Sequence, residues 1–211
     1  MNHNTLKKIF PLENCKNINK LKYDLEGLWS ISHPQSALIL SEKIKVFEKM
    51  GISLNNILDA TGGLGGNTLS FAKFFDKVIS VEIDEVRYNY LKNNVENYNY
   101  DNITTYQGDF LNILINLKEK VDVVFVDPPW GGPNYKFDNN INVTLSDMEL
   151  DQVCSIINNY KYEENKVKLV VYKLPYNFNY DKIISKCKNF IKVYDTYHDG
   201  NIKYLFINFT N

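Results

Sequence analysis

Four short stretches of this 211-residue chain carry residue types whose spacing can do chemistry. The first is Asp59-Ala60-Thr61-Gly62-Gly63-Leu64-Gly65-Gly66-Asn67, in which glycines permit positive φ and let the backbone approach a ligand closely. A glycine-rich turn of this kind serves NAD, FAD or S-adenosylmethionine equally, or is simply tight. The second is Glu82, about 20 residues further on, the offset expected of an acid that accepts hydrogen bonds from ribose hydroxyls. The third, Gly108-Asp109-Phe110, sets a carboxylate for an adenine amine beside an apolar ring. Acids at three successive strand ends fit a nucleoside-containing cofactor, and Asp59 would face the charged amino end of a methionine moiety.

The fourth stretch, Asp127-Pro128-Pro129-Trp130, favours S-adenosylmethionine over a dinucleotide. Two prolines fix φ and remove two N–H groups, leaving carbonyls as acceptors. With Asp127 they suit the N–H groups of a planar amine, and Trp130 supplies a face for stacking a base, worth about 1–3 kcal/mol. A sulfonium methyl is already strongly electrophilic, so alignment rather than a strong base is the requirement. The target is expected to be an exocyclic amine of a nucleobase, with Asp127, Pro128 and Trp130 as the catalytic set.

These stretches need strand ends to hold them. After a polar N-terminal arm, Ala37–Met50 has helical spacing. Strands are expected at 56–60, 78–83, 103–106, 121–126 and 168–172, and helices at 67–75, 85–98, 110–117, 146–160 and 180–190. A closing hairpin is expected over 192–197 and 203–209, turning at Asp199-Gly200. Alternation of this kind predicts an α/β fold of the Rossmann-like class I methyltransferase type. Its sheet would have seven mostly parallel strands with an antiparallel C-terminal hairpin. Ligands in such sheets bind outside the carboxyl ends of the strands, where every motif above falls.

The net charge of −1 argues against sequence-independent wrapping of nucleic acid. Five lysines before Asp24 (Lys7, Lys8, Lys16, Lys20, Lys22) against Glu13 can meet a short polyanion, or be a solvated tail. Cys15, Cys154 and Cys187 lack metal-site spacing and read as free thiols, with no metal expected. Apolar runs are strand-sized and no secretory signal stands at the N-terminus, so an intracellular protein off the membrane is expected. Nucleus and cytoplasm stay open, and a monomer is expected.

Beyond Trp130 the chain continues Gly131-Gly132-Pro133-Asn134-Tyr135, so that it resembles the trimethylguanosine synthases, whose signature P-P-W-G-G-P-x-Y is matched without a gap. Glu26-Gly27-Leu28-Trp29-Ser30, Gly65-Gly66-Asn67-Thr68 and Leu174-Pro175-Tyr176-Asn177 are similar to the same family, and the resemblance runs from about Lys22 to Phe209. It implies methyl transfer from S-adenosylmethionine to the N2 amine of 7-methylguanosine in an RNA 5′ cap, with S-adenosylhomocysteine as product. Residues 1–35 would form an extension packing over the cap and cofactor, and 36–211 the methyltransferase domain. Asp59, Thr61, Gly63, Gly65, Asn67, Thr68, Glu82, Asp109, Phe110 and Asp127 are then the cofactor contacts. Trp130 would stack on the cationic 7-methylguanine, for which Trp is the best aromatic partner. Lys22 would meet cap phosphate and Asn94 the guanosine, while Trp29, Tyr135, Lys173 and Tyr176 complete the substrate set.

Two positions differ from the family. It has Ser where this chain has Asp127, and Arg where this chain has Tyr176; Lys173 or the N-terminal lysines would compensate for that arginine. A carboxylate accepts from N1–H and N2–H of guanine, but serves an adenine amine as well, so an N6-adenine methyltransferase on DNA or RNA is the alternative. A non-catalytic binding subunit is the third class. Degenerate relatives lose a glycine or an acid, and here Asp59, Glu82, Asp109 and both prolines stand.

Overall fold

Near-continuous apolar runs become strands covered on both faces: all four residues of Val123–Val126 and all seven of Leu169–Pro175 are buried. The structure, a computed structural model, describes residues 3–137, 141–186, 190–195 and 202–210. They fall into two compact units, Met1–Ile113 and Leu114–Asn211.

In the first unit the order is α1 (His3–Ile9), α2 (Leu25–Ser30), α3 (Pro34–Lys45), β1 (Asn56–Asp59), α4 (Gly66–Phe71), β2 (Lys77–Glu82), α5 (Glu85–Glu96) and β3 (Ile103–Gln107). β1 pairs in parallel with β2, Asp59 opposite Ser80, and β2 in parallel with β3, Glu82 opposite Gln107. α5 starts where expected because Asp84 caps it, its side chain accepting from the Arg87 N–H. The polar N-terminal arm contains two helices that its polar composition conceals. Leu6, Phe10 and Leu21 are buried in one cluster with Leu64, Leu69 and Tyr98.

α6 (Phe110–Asn116) crosses from the first unit to the second. The second continues with β4 (Val123–Val126), the short hairpins β5 (Thr144–Leu145) with β6 (Met148–Glu149) and β7 (Lys161–Tyr162) with β8 (Asn165–Lys166), and α7 (Leu150–Asn159) between them. β9 (Leu169–Pro175), α8 (Asp181–Lys186), β10 (Phe190–Asp195) and β11 (Ile202–Asn208) follow. β4 pairs in parallel with β9, while β11 runs antiparallel to both β9 and β10. Parallel pairs followed by an antiparallel hairpin are what the alternation predicted.

The helix expected over 146–160 is shorter than its periodicity suggested. Residues 146–149 turn instead of coiling: Ser146 and Asp147 have φ of 54° and 59°, joining β5 to β6. Asp147 therefore lies outside the helix, and Glu149 caps α7 in a reciprocal box with Gln152. The Asp199-Gly200 turn and Cys187 lie outside the described residues.

Candidate active site

The glycine loop after β1 is folded by its own polar groups. Asp59 is fully buried, and its carboxylate accepts from the Thr61 N–H at 3.2 Å and the Thr68 hydroxyl at 2.6 Å. Thr68, also fully buried, shares a hydrogen bond with Ser80 on β2. Through these bonds both residues hold the loop from within. The loop closes because Gly63 and Gly65 take φ of 55° and 98°, in the left-handed region. Gly62 admits no side chain: a Cβ there would stand 2.4 Å from the Ser80 Oγ.

Glu82 ends β2 with little exposure. Its Oε2 accepts from the Gly63 N–H at 2.8 Å and its Oε1 from the Asp84 N–H at 2.9 Å. One carboxylate thus joins the glycine loop to the head of α5, and each oxygen keeps a further lone pair for a hydroxyl. Asp109 is half-buried and accepts from the Asn112 N–H at the start of α6, while Phe110 is buried beside it. Asn67 donates from Nδ2 to the Ser32 hydroxyl at 2.9 Å, while its buried Oδ1 has no hydrogen-bond partner among the described residues. An orphaned buried acceptor beside a positive-φ glycine loop and a carboxylate at the next strand end fit a nucleoside cofactor with an amino-acid tail.

The N-terminal arm is bound to this loop. Asn94 of α5, expected against guanosine, is fully buried: its amide oxygen accepts from the Lys22 N–H at 2.7 Å, and its amide nitrogen donates to the Lys22 and Leu64 carbonyls. With the Asn93 amide also donating to that oxygen, Asn94 is saturated and serves as a latch, a correction to its assignment. The Lys22 side chain, by contrast, is exposed on a backbone fixed at both ends. Trp29 on α2 is 73% exposed, which excludes core packing as its role. α2 is held by Asp24, which caps it at the Gly27 N–H, and by Arg87 of α5, whose guanidinium donates to Asp24 at 3.1 Å and Glu26 at 2.9 Å. Partial burial raises the Asp24 carboxyl, but the Arg87 hydrogen bond and charge and the Gly27 N–H outweigh it, leaving its pKa below the ordinary value.

In the second unit the motif after β4 is equally constrained. Pro128 is buried, and Asp127 sits 2.7 Å from the Lys173 ammonium on the paired strand β9. Burial pushes the Asp127 carboxyl above its ordinary range, and Lys173 opposes that push by charge and hydrogen bond. The same ammonium lies 5.6 Å from the Trp130 ring centroid, and Tyr135 meets that ring edge-on at 5.0 Å. Lys173 is only 5% exposed, so it is not the open phosphate contact expected of it. The Trp130 indole N–H is buried without a partner among the described residues. Gly131 and Gly132, at φ of 84° and 82°, turn the chain back so that the Tyr135 carbonyl accepts from Asn177. Asn177 was visible only as part of the 174–177 stretch. Its neighbour Tyr176 stays exposed.

Residues 54–211 match the family of RNA cap guanine-N2 methyltransferases. The chain belongs to that family. It is 36% identical over 135 residues to an uncharacterized protein of Acanthamoeba polyphaga mimivirus, covering 64% of this chain and 51% of the other. It is 36% identical over 117 residues to the trimethylguanosine synthase of Schizosaccharomyces pombe, covering 53% and 47%. The chain thus spans about half the length of the curated relatives it matches. The fold is that of a solved precorrin-6y C5,15-methyltransferase from Geobacter metallireducens, with a TM-score of 0.62 and 10% identity, covering 94% of this chain and 98% of that one. The family's Rossmann-like fold implies S-adenosylmethionine as methyl donor. Among the described residues, no group of three or more His, Cys, Asp or Glu side chains is set to hold a metal ion, and no helix is long and apolar enough to cross a membrane.

Proposed function

We propose that this protein methylates the N2 amine of 7-methylguanosine in the 5′ cap of RNA. The observation that carries the reading is the 127–135 turn, in which a half-buried tryptophan follows a carboxylate and two prolines at the end of β4. S-adenosylmethionine, when bound, supplies a sulfonium methyl electrophilic enough that aligning the nucleophile is the main requirement. In the first unit Glu82 would hold the ribose hydroxyls. Asp109 and Phe110 would hold the adenine, with Thr61, Gly63, Gly65 and Asn67 lining the loop side and Asp59 and Thr68 keeping that loop folded. In the second unit Asp127 and the Pro128 carbonyl accept the N–H groups of the amine, orienting its nitrogen lone pair. Trp130 stacks on the base with Tyr135 bracing its edge. Exposed Lys22, Trp29 and Tyr176 are the groups left to meet the cap's phosphates and the outer base face.

The test is transfer of labelled methyl to a 7-methylguanosine dinucleotide cap, with the unmethylated cap and an adenine oligonucleotide alongside. Transfer to the guanine cap is expected. Trp130→Ala should lower kcat/KM on it by about 10–100-fold, the value of one stacked base, with S-adenosylmethionine affinity unchanged in calorimetry. Transfer to adenine alone would make the protein an N6-adenine methyltransferase. Loss of cofactor binding in the Trp130 variant would make that ring structural.

A further inference from the structure

We infer that Lys173 is a positioning and specificity residue: by pairing with Asp127 beneath Trp130 it keeps the carboxylate an acceptor on both oxygens and so selects guanine over adenine. The inference rests on the functional reading above and deepens it. Val126 pairs with Tyr172 in the parallel ladder, so Lys173 and Asp127 each stand one residue beyond that pair, with the Lys173 ammonium 2.7 Å from Asp127 Oδ2 and 5.6 Å from the Trp130 centroid. One buried cation therefore touches both side chains that a flat base would meet. Its reach to solvent is negligible at 5% exposure, which removes it from phosphate binding.

The selection follows from hydrogen-bond chemistry. An ionised carboxylate only accepts, whereas a neutral carboxyl offers one donor and one acceptor. The edge of guanine presents two adjacent donors, N1–H and N2–H, matching the ionised form. The edge of adenine presents the N6 amine beside N1, an acceptor, and so matches the neutral form. Burial drives Asp127 towards that neutral form, and Lys173 works against it. A carboxylate has about four lone-pair sites, so the bond from Lys173 does not by itself displace a base donor. Among the described residues, the buried Tyr204 on β11 stands opposite Lys173 and is a further titratable group beside the pair.

The experiment measures kcat and KM for the 7-methylguanosine cap and for an adenine oligonucleotide across pH, in wild type, Lys173→Met, Lys173→Arg and the Asp127→Asn/Lys173→Met double variant. Cofactor affinity from calorimetry reports whether each variant is folded. In Lys173→Met the acid limb of kcat on the cap should move up by about 1–3 pH units, the effect of removing an opposite charge at this distance. Its preference for the cap over adenine should fall by about 10–100-fold, the discrimination of one bidentate base contact. Lys173→Arg should return the limb towards wild type, and the double variant should show no Asp127 limb and no recovered preference. Should Lys173→Met misfold, Lys173→Gln makes the same comparison, because a neutral amide can still donate a hydrogen bond to Asp127 without supplying the charge. A lowered kcat with the limb and the base preference unmoved overturns the inference while wild-type cap methylation leaves the functional reading intact. A wild type inactive on every guanine cap overturns both.

Discussion

Asn94 shows how far residue type alone can mislead. An asparagine one turn from the end of α5 is a plausible base reader, yet here its amide accepts from Lys22 and Asn93 and donates to Lys22 and Leu64 inside the molecule. Asn94→Ala leaves the Lys22 and Leu64 backbone groups unpaired, at a cost of about 2–4 kcal/mol. A lower urea midpoint with unchanged slope checks this. Wild-type stability in that variant would show that water replaces the amide. The acids at strand ends were legible because a turn after a buried strand leaves few positions for a carboxylate; Glu82 and Asp127 stand where the pattern put them. Which way each points was not legible. The partners that turn Asp59 inwards, Thr61 and Thr68, and the lysine that captures Asp127, 46 positions away, are set by packing rather than by local spacing.

Among the elements, α2 is the one whose position depends most on charge. It is six residues long, too short to persist alone, and carries exposed Leu25 and Trp29 on one side. The Asp24 cap and the bonds from Arg87 fix it to α5. Because the native Asp24 pKa lies below its unfolded value, this contribution is complete above about pH 4. It is lost as pH falls through the lower, native value. Hydrogen exchange at the Gly27 N–H should therefore accelerate below about pH 4 beyond the intrinsic trend. Arg87→Ala should raise it about two- to fivefold at neutral pH, as befits a partly exposed pair, and should weaken the acid dependence. Unchanged protection would mean that apolar contacts alone seat the helix. The sequence pattern located α3 to α6 within a few residues because each follows a strand or a cap. It ran α7 through Ser146 and Asp147, whose left-handed turn leaves no trace in hydrophobic spacing.

At the scale of the whole molecule, the family match beginning at residue 54 suggests that what precedes it is accessory. The packing says otherwise. Leu6 on α1 and Phe10 just past its end sit four apart, a spacing available in the sequence, and with Leu21 they bury against Leu64 in the glycine loop and Leu69 on α4. Each such side chain contributes about 1.5–3 kcal/mol. Together they approach the about 5–15 kcal/mol by which a domain is stable at all. The arm is therefore a structural part of the first unit. Phe10→Ala should cost about 3–5 kcal/mol and lower the melting temperature, with cofactor affinity falling as Leu64 loosens. Deleting residues 1–35 should abolish cooperative unfolding of the first unit. A truncated chain that still melts cooperatively and binds S-adenosylmethionine as the intact protein does would instead make the arm a detachable lid, and would assign the role of Lys22 and Trp29 to substrate alone.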